Sequence, residues 1–208
     1  LAPNVYSKLS VLEPLIIFAL IMAYIWRLRG THPNLWMAIL GLMLLSHLVR
    51  RESPGMLGFG VRTLSGARWF ATVLSIVSFV MLACGALFRV IRPISFEWAV
   101  LALAAYLPWG LLQQYVLNGY FLNRFDALLP PRAASLVATT LFGIAHTPNW
   151  FLMAVTFLGG YWSTRVYRNC RCLYLLALAH ATAGFLLFML VPDSLTHHLR
   201  VGPAWFKW

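Results

Sequence analysis

Between Trp69 and Phe88 twenty residues pass without one charged side chain. Leu173–Val191 repeats the pattern, with no acid, lysine or arginine. A helix that crosses the hydrocarbon of a bilayer needs roughly 20 mostly apolar residues. Inside lipid the backbone must satisfy its own hydrogen bonds, which restricts spanning structures to helices and closed barrels. Five further apolar segments can be read at Val11–Trp26, Asn34–Val49, Phe96–Leu117, Ala134–Ala145 and Trp150–Val166. Barrel strands would alternate over about ten residues, and these runs are longer and unbroken. The chain is therefore expected to form an all-α, polytopic transmembrane bundle of about seven spans, a single domain over 1–208. Composition agrees: 61% of residues are hydrophobic and 10% charged, against about 25% charged in soluble domains.

The net charge of +11 comes from 16 Lys and Arg against five acids. These cations stand singly or in pairs between apolar runs and form no basic stripe, which argues against nucleic acid as a partner. Membrane lipids are the expected partners, through positive charge at helix ends. Lys8, Arg50, Arg51, Arg62, Arg68, Arg124, Arg132, Arg165, Arg168 and Arg171 count to one side, which places the N-terminus in the cytoplasm. The linker Arg50–Arg68 mixes Gly, Arg and isolated apolar residues and is expected to lie on the bilayer surface. Cys170-Arg171-Cys172 reads as a loop, too short and solitary for a zinc knuckle. No His, Cys or carboxylate set supplies the three or four ligands a zinc site needs, so neither a metal nor another cofactor is expected.

Polar residues inside apolar segments are costly and are functional candidates by default. Three groups qualify. Gln113-Gln114 precede Asn118 in LLQQYVLNGYFLNRF, with Gln114 and Asn118 four apart on one helix face. His146 lies in LFGIAHTPNW, where Pro148 breaks the helix and Phe142 stands one turn earlier. His180 lies in LYLLALAHATAGFLLF, with Gly184 one turn on. Segments five and six thus read as a hairpin whose apex is buried in protein or lines a cavity. The blander reading of the first group is interhelical hydrogen bonding, worth only about 0.6 kcal/mol on average, and that of His146 a hydrogen-bonded packing residue.

In this order and spacing the three groups resemble the motifs of the CPBP family, the CAAX proteases and bacteriocin-processing (Abi) enzymes. That family carries Glu-Glu, then Arg four residues after the second Glu, then Gly-Tyr. Here Gln113-Gln114 and Asn118-Gly119-Tyr120 stand in those places. Phe142, His146, Pro148 and Asn149 match the second motif. His180 matches the third, which ends four residues later in Asn where this chain has Gly184. The resemblance covers about 98–188 and implies an intramembrane protease fold in a bacterial inner (cytoplasmic) membrane.

The resemblance implies roles: Gln113 in place of the carboxylate base, His146 as its partner in activating water, His180 with position 184 at the oxyanion. An amide has no useful basicity near neutral pH, and loss of a general base costs about 10²–10⁴-fold. Gly184 offers no side-chain donor, and Asn118 replaces the arginine. The acids Glu13, Glu52, Glu97, Asp126 and Asp193 all fall at or near segment ends. The expected protein is a CPBP-like homologue without glutamate chemistry. Gln113, Gln114, His146, His180 and Asn149 would converge from different helices on an uncharged cavity for a lipid, a prenylated or transmembrane peptide, or a pigment. The alternatives are an active endopeptidase using His146 and His180, or a structural subunit of a larger membrane complex.

Overall fold

The computed structural model describes the backbone of residues 3–60 and 64–207, and the side chains of residues 12–60 and 68–207. Every apolar segment becomes a helix. α1 (Pro3–Ala23) runs into a π-helical turn at Tyr24–Leu28, and α2 (Leu35–Val49) and α3 (Leu64–Leu87) follow. α4 (Phe96–Gln114) continues through π-helical Tyr115–Leu122 into α5 (Asn123–Asp126). Then come α6 (Pro131–Ile144), α7 (Trp150–Cys170), α8 (Leu173–Leu190) and the short α9 (Asp193–Thr196). Among the described residues three stretches are long and apolar enough to cross a membrane: Arg68–Leu87, Phe96–Asp126 and Leu173–Leu190. α2 is apolar but shorter. The outer faces carry exposed Leu48, Phe79, Phe96 and Leu158, the surface a lipid solvent requires.

Local chemistry sets the helix ends. Ser95 Oγ accepts from Trp98 N at 3.3 Å at the start of α4, an N-cap that satisfies one orphan donor. Asn149 Oδ1 does the same for α7 through Leu152 N at 3.1 Å. Arg171 closes α7 in the left-handed region, its N–H reaching Tyr167 O. The chief packed pairs are α4 on α8 and α6 on α7. A Cβ at Gly110 would stand 2.9 Å from Ala177 O, so glycine there is what lets α4 and α8 approach.

Two connecting segments pack against the helices. The described part of the Arg50–Arg68 linker is partly buried in the protein. Leu57 and Gly58 are buried, Gly58 holds φ +90°, and its carbonyl accepts from Leu173 N at 2.8 Å. α3 already begins at Leu64; Arg62 and the side chain of Lys8 lie outside the described residues. Cys170-Arg171-Cys172 forms the tight connection between α7 and α8. Cys170 ends α7 and is buried, and Cys172 pairs with Phe59 in an isolated bridge.

Candidate functional site

α4, α6, α7 and α8 line a partly open cavity of about 230 Å³, to whose wall the α6–α7 turn, Leu199 and Val201 also contribute. Gln113, Gln114, His146 and His180 all line it, so the sequence-marked groups do converge. Asn118 does not reach the cavity wall; it stands behind Gln114, fully buried. The π-helical stretch Tyr115–Leu122 starts immediately after Gln114, and such bulges cluster at functional sites.

The amides form a chain. Asn118 Nδ2 donates to Gln114 Oε1 at 2.7 Å and to Ser163 Oγ at 2.9 Å. Ser163 Oγ donates to the same Gln114 oxygen at 2.7 Å. Gln114 Oε1 is thereby saturated, and its Nε2 faces His180 Nδ1 at 3.2 Å. An amide NH₂ only donates, so His180 Nδ1 accepts and the ring proton sits on Nε2. Turning both amides over would bury the Asn118 NH₂ where Oδ1 now lacks a partner. A buried orphan donor is rarer than an orphan carbonyl oxygen, which favours the arrangement described.

His146 is fixed in the opposite sense. Its Nδ1 lies 2.7 Å from Phe142 O, and a carbonyl only accepts, so Nδ1 carries the proton and Nε2 keeps its lone pair. The two cavity histidines therefore offer one acceptor and one donor. Tyr106 lies nearly parallel to the His180 ring, 6.5 Å between centroids. The Gln113 side chain, half-buried, makes no hydrogen bond to the described residues.

Asn149 departs from expectation. It is buried but turned away from the cavity, donating to Thr196 O at 2.8 Å and Arg200 O at 3.0 Å. Its work is to cap α7 and to hold the C-terminal segment, which Gly202 N also ties to Thr147 O at 2.8 Å.

No carboxylate lines the cavity. Glu13 and Glu52 instead meet on Arg124, which is 4% exposed. Arg124 Nε reaches Glu13 at 3.2 Å, and its terminal nitrogens reach Glu52 at 2.7 and 3.0 Å. Ser46, Arg50 and Tyr120 also bond Glu13, and His47 bonds Glu52. Arg124, counted from sequence only among the cations of one membrane side, is thus the buried centre of an ion cluster that sequence reading missed. The available signal was Glu13, an acid within an apolar segment. Burial raises the Glu52 carboxyl, but hydrogen bonds from Arg124 and His47 outweigh it and leave the group below its ordinary range. Asp126 pairs with Arg168. Asp193 makes a two-pronged pair with Arg92 at 2.8 and 3.0 Å, which holds its carboxyl low. Glu97 is exposed at the start of α4. Among the described residues no three His, Cys, Asp or Glu gather as a metal site.

Residues 95–186 match the family model of the type II CAAX prenyl endopeptidase Rce1-like proteins. No curated protein and no solved structure matches the chain. The matched stretch begins at the Ser95 cap of α4 and ends within α8, and so contains every polar residue that builds the cavity wall. Through this segment, a little under half of its length, the chain is similar to the CAAX protease-like family.

Proposed function

We propose that this protein keeps the CAAX protease-like scaffold as a membrane-embedded binding site, without the glutamate-dependent peptidase reaction. One observation carries the reading: the cavity wall holds the amides of Gln113 and Gln114 and no acid, while Glu13, Glu52, Asp126 and Asp193 are engaged elsewhere. General-base activation of water needs a group that accepts a proton near neutral pH. The apolar lining and uncharged donors suit a lipid or the apolar part of a membrane peptide, held by hydrogen bonds.

A second reading has its own support. His146 Nε2 keeps a lone pair, and His180 Nε2 carries a proton, which are the roles of a base and of an oxyanion donor. The assay that separates them is cleavage of a prenylated or transmembrane peptide library by wild type and His146→Ala. The binding reading expects no wild-type turnover above background. Wild-type cleavage that vanishes in His146→Ala would establish the peptidase instead.

A further inference from the structure

The wall of the cavity is more specific than its apolar lining. It contains no Lys, Arg, Asp or Glu, so a charged head group would enter without a counter-ion and lose its hydration uncompensated. Two of its polar groups have their sense fixed by a partner, His146 with Nε2 as acceptor and His180 with Nε2–H as donor, while the Tyr106 hydroxyl can serve in either sense. Neither assignment is free to reverse alone: Phe142 O holds one ring, and the saturated Gln114 amide holds the other. Gln113 adds an uncommitted amide that can serve in either sense.

We propose that the cavity receives a lipid alcohol, an uncharged hydroxyl on an apolar chain. The proposal rests on the binding function proposed above and specifies its ligand. A hydroxyl both donates and accepts at one oxygen, which answers the donor–acceptor pair with a single small group. An ether or ketone only accepts, a carboxylate only accepts and brings charge, and an ammonium only donates. Each leaves one histidine nitrogen unpaired, and leaving a buried polar atom unpaired is costly. Size points the same way. A volume of about 230 Å³ leaves room for a small head group and the first few carbons of a chain. Trp109 and Leu187 lie on the same wall and supply contact for the chain.

The test uses the full chain in phospholipid nanodiscs. A diazirine-bearing octanol is photo-crosslinked, the labelled peptides are mapped, and octan-1-ol, methyl octyl ether, octanoate and octylamine compete. Labelling should fall in α4, α7 or α8, and octan-1-ol should compete about tenfold better than the ether, the worth of one buried hydrogen bond. Gln114→Glu keeps the acceptor for Asn118 and Ser163 but turns His180 to its Nδ1–H form. The cavity then presents two acceptors, and the preference should move from octan-1-ol towards octylamine. ¹⁵N NMR of the histidine rings should show His146 protonated at Nδ1 and His180 at Nε2. Cavity labelling with equal competition by the ether, or better competition by octanoate, overturns the alcohol proposal and leaves the binding function standing. A His180 ring protonated at Nδ1 also overturns it. No cavity labelling by any amphiphile overturns both.

Discussion

The ring of Tyr106 fills the space that a side chain at Gly184 would need: a Cβ at 184 would stand 2.6 Å from Tyr106 Cε1. The same ring lies against His180. The departure from the family motif at 184 is therefore paired with an aromatic residue on a neighbouring helix. Overpacking of this kind costs about 1–3 kcal/mol. Gly184→Asn should lower the thermal midpoint in detergent, and adding Tyr106→Ala should recover much of the loss. An unchanged midpoint in the single variant would show that the ring has room to move.

That pairing changes what is needed to rebuild a peptidase. Gln113→Glu alone should give no measurable cleavage, because the carboxylate would lack an arginine at Asn118 and a donor at Gly184. Gln113→Glu, Gln114→Glu, Asn118→Arg and Gly184→Asn together would still meet the Tyr106 ring. The set that includes Tyr106→Ala is expected to show more cleavage than the set without it, measured on a prenylated peptide.

Arg124 should be the most sensitive position outside the cavity. Removing one partner of a buried ion cluster strands the others, at about 3–5 kcal/mol. Arg124→Leu should reduce the yield of folded protein in size-exclusion chromatography. Adding Glu13→Gln and Glu52→Gln should restore it, since the stranded charges are then gone. Failure of the triple variant to recover would mean that the guanidinium serves packing rather than charge balance.

The carboxyls of Glu52 and Asp193 both titrate below their ordinary values. A group whose folded value is lowered contributes stability above its unfolded value, about 4 for a carboxyl, and loses it as pH falls through the folded value. The thermal midpoint should therefore be insensitive to these two groups above about pH 5 and should fall below about pH 4. Asp193→Asn, measured by thermal unfolding across that range, should flatten the acid limb.

Asn149 should report on the C-terminal segment and not on the chemistry of the cavity. Asn149→Ala removes an N-cap, worth about 1 kcal/mol, together with the bonds to Thr196 O and Arg200 O. Limited proteolysis should then cut within 193–207 several-fold faster than in wild type. An unchanged cleavage pattern would show that Gly202 and the Arg92–Asp193 pair hold the segment unaided.

Much of the architecture was legible in the chain because hydrophobicity is a local property. Helix ends at Ser95, Pro131 and Asn149 follow from capping and proline chemistry, and the uncharged runs fix what must face lipid. The spacing of Gln113-Gln114, His146 and His180 also marked residues that line one cavity. What the sequence by itself could not determine is the direction in which polar atoms point. Asn149 shares the second motif with His146, yet its amide is claimed by carbonyls about fifty residues away. Arg124 looked like one more interfacial cation, and only the meeting of α1, the 50–60 segment and α5 buries it with Glu13 and Glu52. The tautomers of the two cavity histidines likewise depend on Ser163 and Asn118 saturating one oxygen of Gln114. Hydrogen bonding between helices is a pairwise property of residues far apart in the chain, so tertiary packing alone settles which atoms face the cavity and which are spent.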